Sequence, residues 1–312
     1  MNALYTAGSP HEKIAFVGEA PGAEEERCGG AFVGKAGQLL TELLQHAGLN
    51  RGQCYFDNVF QFRPPRNDIA PFLRVQEGKT RESSEYHEHK EGLRQRLENC
   101  KANVIVALGN VPLYALTGKA NITKQRGSIL ESTLLPGRKV IPVIHPSAAL
   151  REFLYRYYIV NDLTRVRKES ESPEINLLER NLVLNPSMKD VEEFIKHCRS
   201  LPRIAYDIEV KGMELSHLAI ATAPDFAMCI PFVNGLEDYW SPDQEAHVMC
   251  LVEDLMQDTS VEKIGQNLSF DATFLYSKYN IVGTPLQDTM IAAGILYPDF
   301  PKGLDFLVAQ YC

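Results

Sequence analysis

An unbroken apolar run, Ile14-Ala15-Phe16-Val17-Gly18, ends in the turn Glu19-Ala20-Pro21-Gly22. A second glycine-rich stretch, Ala31-Phe32-Val33-Gly34-Lys35-Ala36-Gly37, then leads straight into Gln38-Leu39-Leu40. Continuous apolar residues bounded by Gly and Pro read as a strand covered on both faces, here Lys13 to Gly18. Lys35 to Ala47 reads as a helix with Ala36, Leu39, Leu40, Leu43, Leu44 and Ala47 on one face, closed by Gly48. A chain built this way must bring both loops to the end of one strand. They carry one carboxylate and one exposed phenylalanine there, the walls of a small pocket for a flat, polar ring.

The same alternation continues. Strands are expected near Tyr55 to Val59, Asn103 to Leu108 and Lys139 to Ile144, and helices near Ser84 to Cys100 and Val111 to Leu116. Strands alternating with helices imply a parallel sheet with helices on both faces. Ligands bind such sheets at the carboxyl ends of the strands, and Glu19, Asn58 and His145 all fall just past strand ends. The polar, proline-broken stretch from Arg165 to Asn176 marks a boundary. Beyond it, Arg203 to Val210, Leu215 to Thr222 and Ala227 to Phe232 read as strands, Ser241-Pro242-Asp243-Gln244 as a capped helix start, and Lys263 to Gly265 as a strand before a helix near Leu268.

Charge divides at the same place. Residues 1 to 170 hold 23 Lys and Arg against 18 Asp and Glu, a net of +5, and residues 171 to 312 hold 9 against 22, a net of −13. Ten basic residues from Lys119 to Lys168 face only Glu131, Glu152 and Asp162, which surrounds His145 with positive charge. That is either a footprint for a phosphate backbone or a solvated basic face. At 312 residues and 45% hydrophobic, two soluble domains are the expectation. Met1 to Tyr5 lacks the basic leader of a targeting segment, and Asn103 to Tyr114 is too short to span a bilayer, so a cytoplasmic protein without membrane contact is expected. Seven cysteines without a C-x-x-C pair read as reduced thiols.

The two loops, together with Asn58-Val59-Phe60-Gln61-Phe62-Arg63-Pro64-Pro65-Arg66-Asn67 and His145-Pro146-Ser147, resemble the uracil-DNA glycosylases, in particular the branch whose bacterial and archaeal members carry an iron-sulfur cluster. The resemblance covers about Ile14 to Arg151. It implies an enzyme that extrudes a base into a pocket and hydrolyses its N-glycosidic bond. Phe32 is then the stacking platform, or else a hydrophobic anchor of its loop. Asn58 is the reader, whose amide donates to a carbonyl and accepts from a ring N–H as uracil requires, or else a turn residue bonding its own backbone. His145 is the donor to the departing base, a contribution on the order of 3 kcal/mol, or else structural. Glu19 places water or supports the cationic sugar, or else caps the next helix. Arg63, Lys124, Arg126, Ser147 and Arg151 are the expected DNA contacts.

One departure bears on the cofactor. Cluster-bearing relatives place two cysteines near the amino terminus, one just before R-P-P and one some way after it. Here Met1 to His11 holds none, Phe62 precedes Arg63-Pro64-Pro65, and Cys100 falls too close to the Asn103 strand to be the fourth. Cys28 and Cys54 cannot complete a four-thiolate site. No iron-sulfur cluster and no other cofactor is expected for this domain, with packing by Phe60 and Phe62 as the substitute.

In the second half, Asp207-Ile208-Glu209 puts two carboxylates on one face of a strand, and Asn267 and Asp271 share one side of a helix start. Asp207, Glu209 and Asp271 resemble the first two motifs of polymerase I-type 3'-5' exonucleases, which implies Mg2+ or Mn2+. Asp288 is expected to be structural. The third motif should lie beyond Asp288, so the resemblance implies the amino-terminal part of something longer, as in some phage polymerases. The fold expected is α/β: a three-layer α/β/α uracil-DNA glycosylase-like domain at 1–165, a linker at 166–176, and a truncated ribonuclease H-like exonuclease domain with a mixed sheet at 177–312. Its partners are uracil-containing DNA, single- or double-stranded, and the remainder of a DNA polymerase. Two rival readings remain: a module that senses uracil in template DNA without cutting, and a second domain whose acidic surface binds a basic partner.

Overall fold

The computed structural model describes residues 5–76, 79–235 and 237–311. Met1 to Leu4, on which the expectation about a targeting segment partly rests, and Cys312 lie outside them. Two compact units form, one of Met1–Leu177 with Asp305–Cys312 and one of Leu178–Leu304.

The first unit runs β1 (Ile14–Gly18), α1 (Ala23–Cys28), α2 (Lys35–His46), β2 (Tyr55–Asn58), the hairpin strands β3 (Leu73–Arg74) and β4 (Arg81–Glu82), α3 (Ser84–Glu98), β5 (Val104–Leu108), α4 (Asn110–Thr117), α5 (Ile122–Gln125), β6 (Leu130–Glu131), β7 (Lys139–Val143), α6 (Pro146–Ala149) and α7 (Leu154–Glu169). The main sheet is ordered β2-β1-β5-β7-β6, with the first four strands parallel and β6 antiparallel at the edge. Every residue of β1, β2, β5 and β7 is buried. Alternation divides β1 between two cores. Ile14 and Phe16 pack with Leu40 and Leu44 of α2 and Ile159 and Leu163 of α7. Ala15 and Val17 join the other core, with Leu93 and Leu97 of α3 and Leu113 and Leu116 of α4. Three layers follow from one strand's two-residue period.

Only the first four residues of the linker expected at 166–176 are helical, and 172–180 form neither helix nor strand. Helix α7 continues to Glu169, and the buried Lys139 Nζ ties its end to the sheet, donating to the carbonyls of Glu169 (3.2 Å) and Ser172 (3.1 Å) and pairing with the Glu169 carboxylate at 2.8 Å.

The second unit contains β8 (Asn181–Val183), α8 (Met188–Cys198), β9 (Arg203–Lys211), β10 (Glu214–Ala223), β11 (Phe226–Pro231), the hairpin strands β12 (Val233–Asn234) and β13 (Glu237–Asp238), α9 (Pro242–Gln257), β14 (Glu262–Gly265), α10 (Leu268–Tyr279), β15 (Leu286–Asp288) and α11 (Thr289–Leu296). Its sheet, β15-β14-β9-β10-β11-β8, is mixed: β9, β10 and β11 are antiparallel, and β14 and β15 run parallel to β9. Ile204, Tyr206 and Ile208 of β9 enter the core with Val191, Phe194, Val248 and Val252, which turns Asp207 and Glu209 to the opposite, exposed face. The last helix, α12 (Leu304–Tyr311), belongs from Asp305 onward to the first unit, where Phe306 packs on the Tyr158 ring with centroids 5.1 Å apart.

Aromatic rings support the loop after β2. Phe60, fully buried, lies against Phe62 (centroids 5.8 Å apart), Phe72 (6.0 Å), Tyr86 (6.1 Å) and His89 (5.3 Å), and Phe62 also meets Phe72 and His89 at 5.1 Å. Truncating a buried Phe typically costs about 3–5 kcal/mol. Phe60→Ala is predicted to lower the unfolding free energy of the first unit by that amount, read by denaturant titration, and to leave the transition of the second unit in place.

Candidate active site

A cavity of about 270 Å³ lies where β1, β2 and β7 end. Its lining includes Pro21, Gly22, Glu25, Phe32, Lys35, Asn58 and His145. Glu19 is not part of that lining. It sits half-buried at the carboxyl end of β1, with its pKa raised by burial and by nearby Asp68.

Phe32 differs from the exposed ring expected. It is only 7% exposed, packs 5.8 Å from the Phe56 ring, and lies 6.3 Å from the imidazole of His145. Its backbone is left-handed, φ 55°, a region a bulky residue enters only when its surroundings hold it there. The close approach of α2 does so: a Cβ on Gly37 would lie 1.8 Å from the Phe32 carbonyl oxygen.

The backbone of Asn58 is fixed from beneath. Its N–H donates to Asp57 Oδ1 at 2.7 Å, and its carbonyl accepts from Arg96 Nη2 and Gln61 Nε2. Asp57 is fully buried and accepts in turn from Arg96 Nε at 2.8 Å, Gln61 Nε2 at 2.7 Å and the Tyr55 hydroxyl at 3.1 Å. Burial nevertheless raises its pKa, against the pull of Arg96. Among the described residues, no hydrogen bond engages the Asn58 carboxamide, which leaves it for a ligand.

His145 caps α6. Its Nδ1 accepts from the Ser147 backbone N–H at 3.2 Å and lies 2.7 Å from the Ser147 hydroxyl. Burial pushes its pKa down to about 4, and the opposing pull of Glu25 does not reverse this. An imidazole that accepts at Nδ1 and is neutral must carry its proton on Nε2. The site therefore holds a neutral donor. Ser147, expected at DNA, is the residue that sets this tautomer.

Sequence reasoning missed Glu25. Buried on α1, it accepts from the backbone N–H groups of Val33 and Gly34, each at 2.8 Å, and from that of Gly22 at 3.1 Å. One carboxylate thus joins the two glycine-rich loops. The spacing Gly22-x-x-Glu25, that of a capping box, was the available signal.

Arg126 is corrected. Instead of facing DNA it is 2% exposed, paired with Asp162 at 2.8 and 3.0 Å, and stacked 4.8 Å from the Tyr158 ring. Its partners lie on α7, a helix the sequence reading did not mark. Arg63 pairs with Glu26 at 2.9 Å and bonds Asn67, and Lys124 and Arg151 are exposed.

A four-thiolate cluster does not fit these residues. The position before Arg63 is filled by Phe62 within the aromatic group, and Cys54 is buried with its pKa pushed up to about 12. In the second unit, Asp207 is raised by burial and by Asp271 and Glu209. Asp271 is buried and accepts from the Ile208 N–H at 3.0 Å. The donor chemistry suits a hard divalent cation, and besides burial Glu209 raises the pKa of both Asp207 and Asp271, which puts the three carboxylates near one another; among the described residues they do not form a closed group of three metal ligands. Of the three, Asp207 and Glu209 are exposed, and Asp271 is buried with one oxygen on the backbone. Asp288 is structural, accepting from the N–H groups of Asn267, Leu268, Met290 and Ile291 and so joining the starts of α10 and α11.

Residues 5–164 match the Uracil DNA glycosylase superfamily. The chain belongs to that superfamily. A type-4 uracil-DNA glycosylase of Thermotoga maritima is 40% identical over 152 residues, 48% of this chain and 72% of that protein, and one of Archaeoglobus fulgidus is 36% identical over 155 residues, 47% and 72%. Residues 187–312 match a 3'-5' exonuclease family. A DNA polymerase of Bacillus phage SP01 is 24% identical over 318 residues, 91% of this chain but only 32% of its own length. Among solved structures, the catalytic core of RRP6 from Trypanosoma brucei aligns at 18% identity and a TM-score of 0.37, over 44% of this chain and 36% of that one.

The glycosylase pocket depends on Gly18. A Cβ there would lie 2.5 Å from both Asn58 Oδ1 and Phe32 Cζ. Overpacking of this kind costs about 1–3 kcal/mol, so Gly18→Ala is predicted to weaken uracil excision at least ten-fold, measured as kcat/KM on a uracil oligonucleotide.

Proposed function

We propose that the first unit excises uracil from DNA with Phe32 and Asn58 holding the flipped base and His145 stabilising it as it leaves. The observation that carries this is the convergence of these three side chains on one cavity at the ends of parallel strands. Uracil stacks on Phe32, and the Asn58 carboxamide pairs with a carbonyl and the ring N–H, which cytosine does not match. The C1'–N1 bond breaks, its electron pair leaves with the base, and negative charge collects on the ring oxygens. The neutral Nε2–H of His145 donates to that charge, while a water oxygen bonds to C1' and yields an abasic site. Glu19, beside the pocket, receives the water proton or supports the cationic sugar; its raised pKa makes it the stronger base. No step requires a metal. Arg63, Lys124 and Arg151 are assigned to phosphates.

The match to a phage polymerase across both units supports a chain that works within DNA synthesis. For the second unit, the Mg2+ or Mn2+ reading rests on the chemistry of Asp207, Glu209 and Asp271, and no hydrolytic step is drawn through it. The rival for the first unit, a uracil sensor that does not cut, is separated by one assay. Purified protein with an end-labelled uracil oligonucleotide in EDTA, followed by alkali, is predicted to give a cut at the uracil. His145→Ala is predicted to reduce its rate about 10²–10³-fold with binding retained. Binding without any cut in the wild type would favour the sensor.

The pH profile follows from the imidazole. Its folded pKa, about 4, lies below the ordinary 6.5, so the ring stays neutral through the range in which an exposed histidine charges. The excision rate is predicted to show no step attributable to His145 near pH 6.5. Stability has the corresponding sign: the unfolded chain takes up the proton first, so the neutral ring's contribution is complete above pH 6.5 and is lost as pH falls toward 4. Thermal melts across that window check it.

A further inference from the structure

Helix α2 begins at the pocket without a side-chain cap. Its N-cap is Gly34, which has no side chain to accept from the first turn, and no acidic residue stands in that turn. The first N–H groups of a helix find no acceptor within it. Among the described residues, no hydrogen bond engages the N–H groups of Lys35, Ala36 or Gly37. Gly34, Lys35 and Ala36 all line the cavity. Lys35 adds a full positive charge at the same place: its side chain is exposed, and among the described residues no carboxylate pairs with it.

The two carboxylates of the lining are engaged elsewhere. Glu25 accepts from the N–H groups of Gly22, Val33 and Gly34, all of which precede the helix, and Glu24 pairs with Arg27 at 2.7 Å. The donors of the first turn are left for an anion from outside. A second group in the same cavity also lacks a partner. Asn58 is 3% exposed, and among the described residues no hydrogen bond engages its carboxamide. The cavity thus suits a ligand that carries both a hydrogen-bonding ring and a negative charge. Gly37, which seats α2 against the Phe32 carbonyl, fixes the helix start relative to the stacking ring.

We propose that the first turn of α2, together with Lys35, binds a phosphate of the uracil-bearing nucleotide and so positions that nucleotide while Phe32 and Asn58 hold its base. A base cannot enter the pocket unless its sugar and flanking phosphates come to the mouth, and the phosphates are the charged groups of the substrate. Free N–H groups and the partial positive charge of a helix start suit a phosphate oxygen, and the Lys35 ammonium supplies a point charge beside them. Contacts of this kind set register and orientation whatever the neighbouring sequence. The proposal rests on the glycosylase reading of the pocket and adds a positioning residue to it.

The test uses the full chain with Lys35→Gln and Lys35→Arg, folding being checked by circular dichroism. Binding of a fluorescent uracil oligonucleotide is read by anisotropy across a salt series, excision as KM and kcat, and inhibition by free uracil as Ki. Lys35→Gln is expected to bind on the order of ten-fold more weakly, with a salt slope smaller by about one phosphate contact. KM should rise in step, with kcat changed by no more than about two-fold. Lys35→Arg is expected to keep the wild-type slope, and inhibition by free uracil, which has no phosphate, to be the same in all three proteins. Wild-type affinity and slope in Lys35→Gln would overturn the phosphate contact. A loss confined to kcat, or weaker inhibition by free uracil, would overturn it as well, because Lys35 would then act on the base. If the wild type binds but does not excise, the glycosylase reading fails, and the salt series still decides the phosphate contact.

Discussion

The Glu25 carboxylate, shared among the backbone N–H groups of Gly22, Val33 and Gly34, is the interaction on which the site depends. Each loop alone is glycine-rich and has many conformations open to it. Tied together, they hold Phe32 in a left-handed backbone and set it across from His145. The same buried charge pulls the His145 pKa upward, yet burial of the imidazole prevails and the ring stays neutral. A preorganised neutral donor facing developing negative charge needs no proton of its own to lose, which suits a leaving group that departs as an anion.

Much of this site was legible because it depends on strand ends. The apolar runs at Ile14, Tyr55 and Val140 mark parallel strands; Asn58 ends one of them and His145 lies just past another, so their convergence follows from topology. The illegible part depends on contacts across the fold. Glu25 acts through backbone groups eight and nine residues away, which side-chain patterns do not reveal. Arg126 reads as a phosphate ligand because its partner Asp162 lies 36 residues away on a helix the sequence reading did not mark. Phe32 reads as exposed because Phe56, which covers it, belongs to another strand.

The second unit shows the same division. Two-residue alternation placed Asp207 and Glu209 together on the exposed face of β9, but not Asp271, whose carboxylate bonds the Ile208 backbone. Asp288 likewise uses its oxygens on four backbone N–H groups. Carboxylates that look alike in sequence differ in how many donors the fold aims at them.

The proposed reaction uses His145 as a neutral imidazole protonated on Nε2. Nitrogen NMR of the histidine-labelled full chain, titrated from pH 8 to pH 3.5, tests it most directly. The His145 ring is predicted to keep a protonated Nε2 and an unprotonated Nδ1 until the pH approaches 4. A ring that becomes doubly protonated near pH 6.5, or that carries its proton on Nδ1, would contradict it.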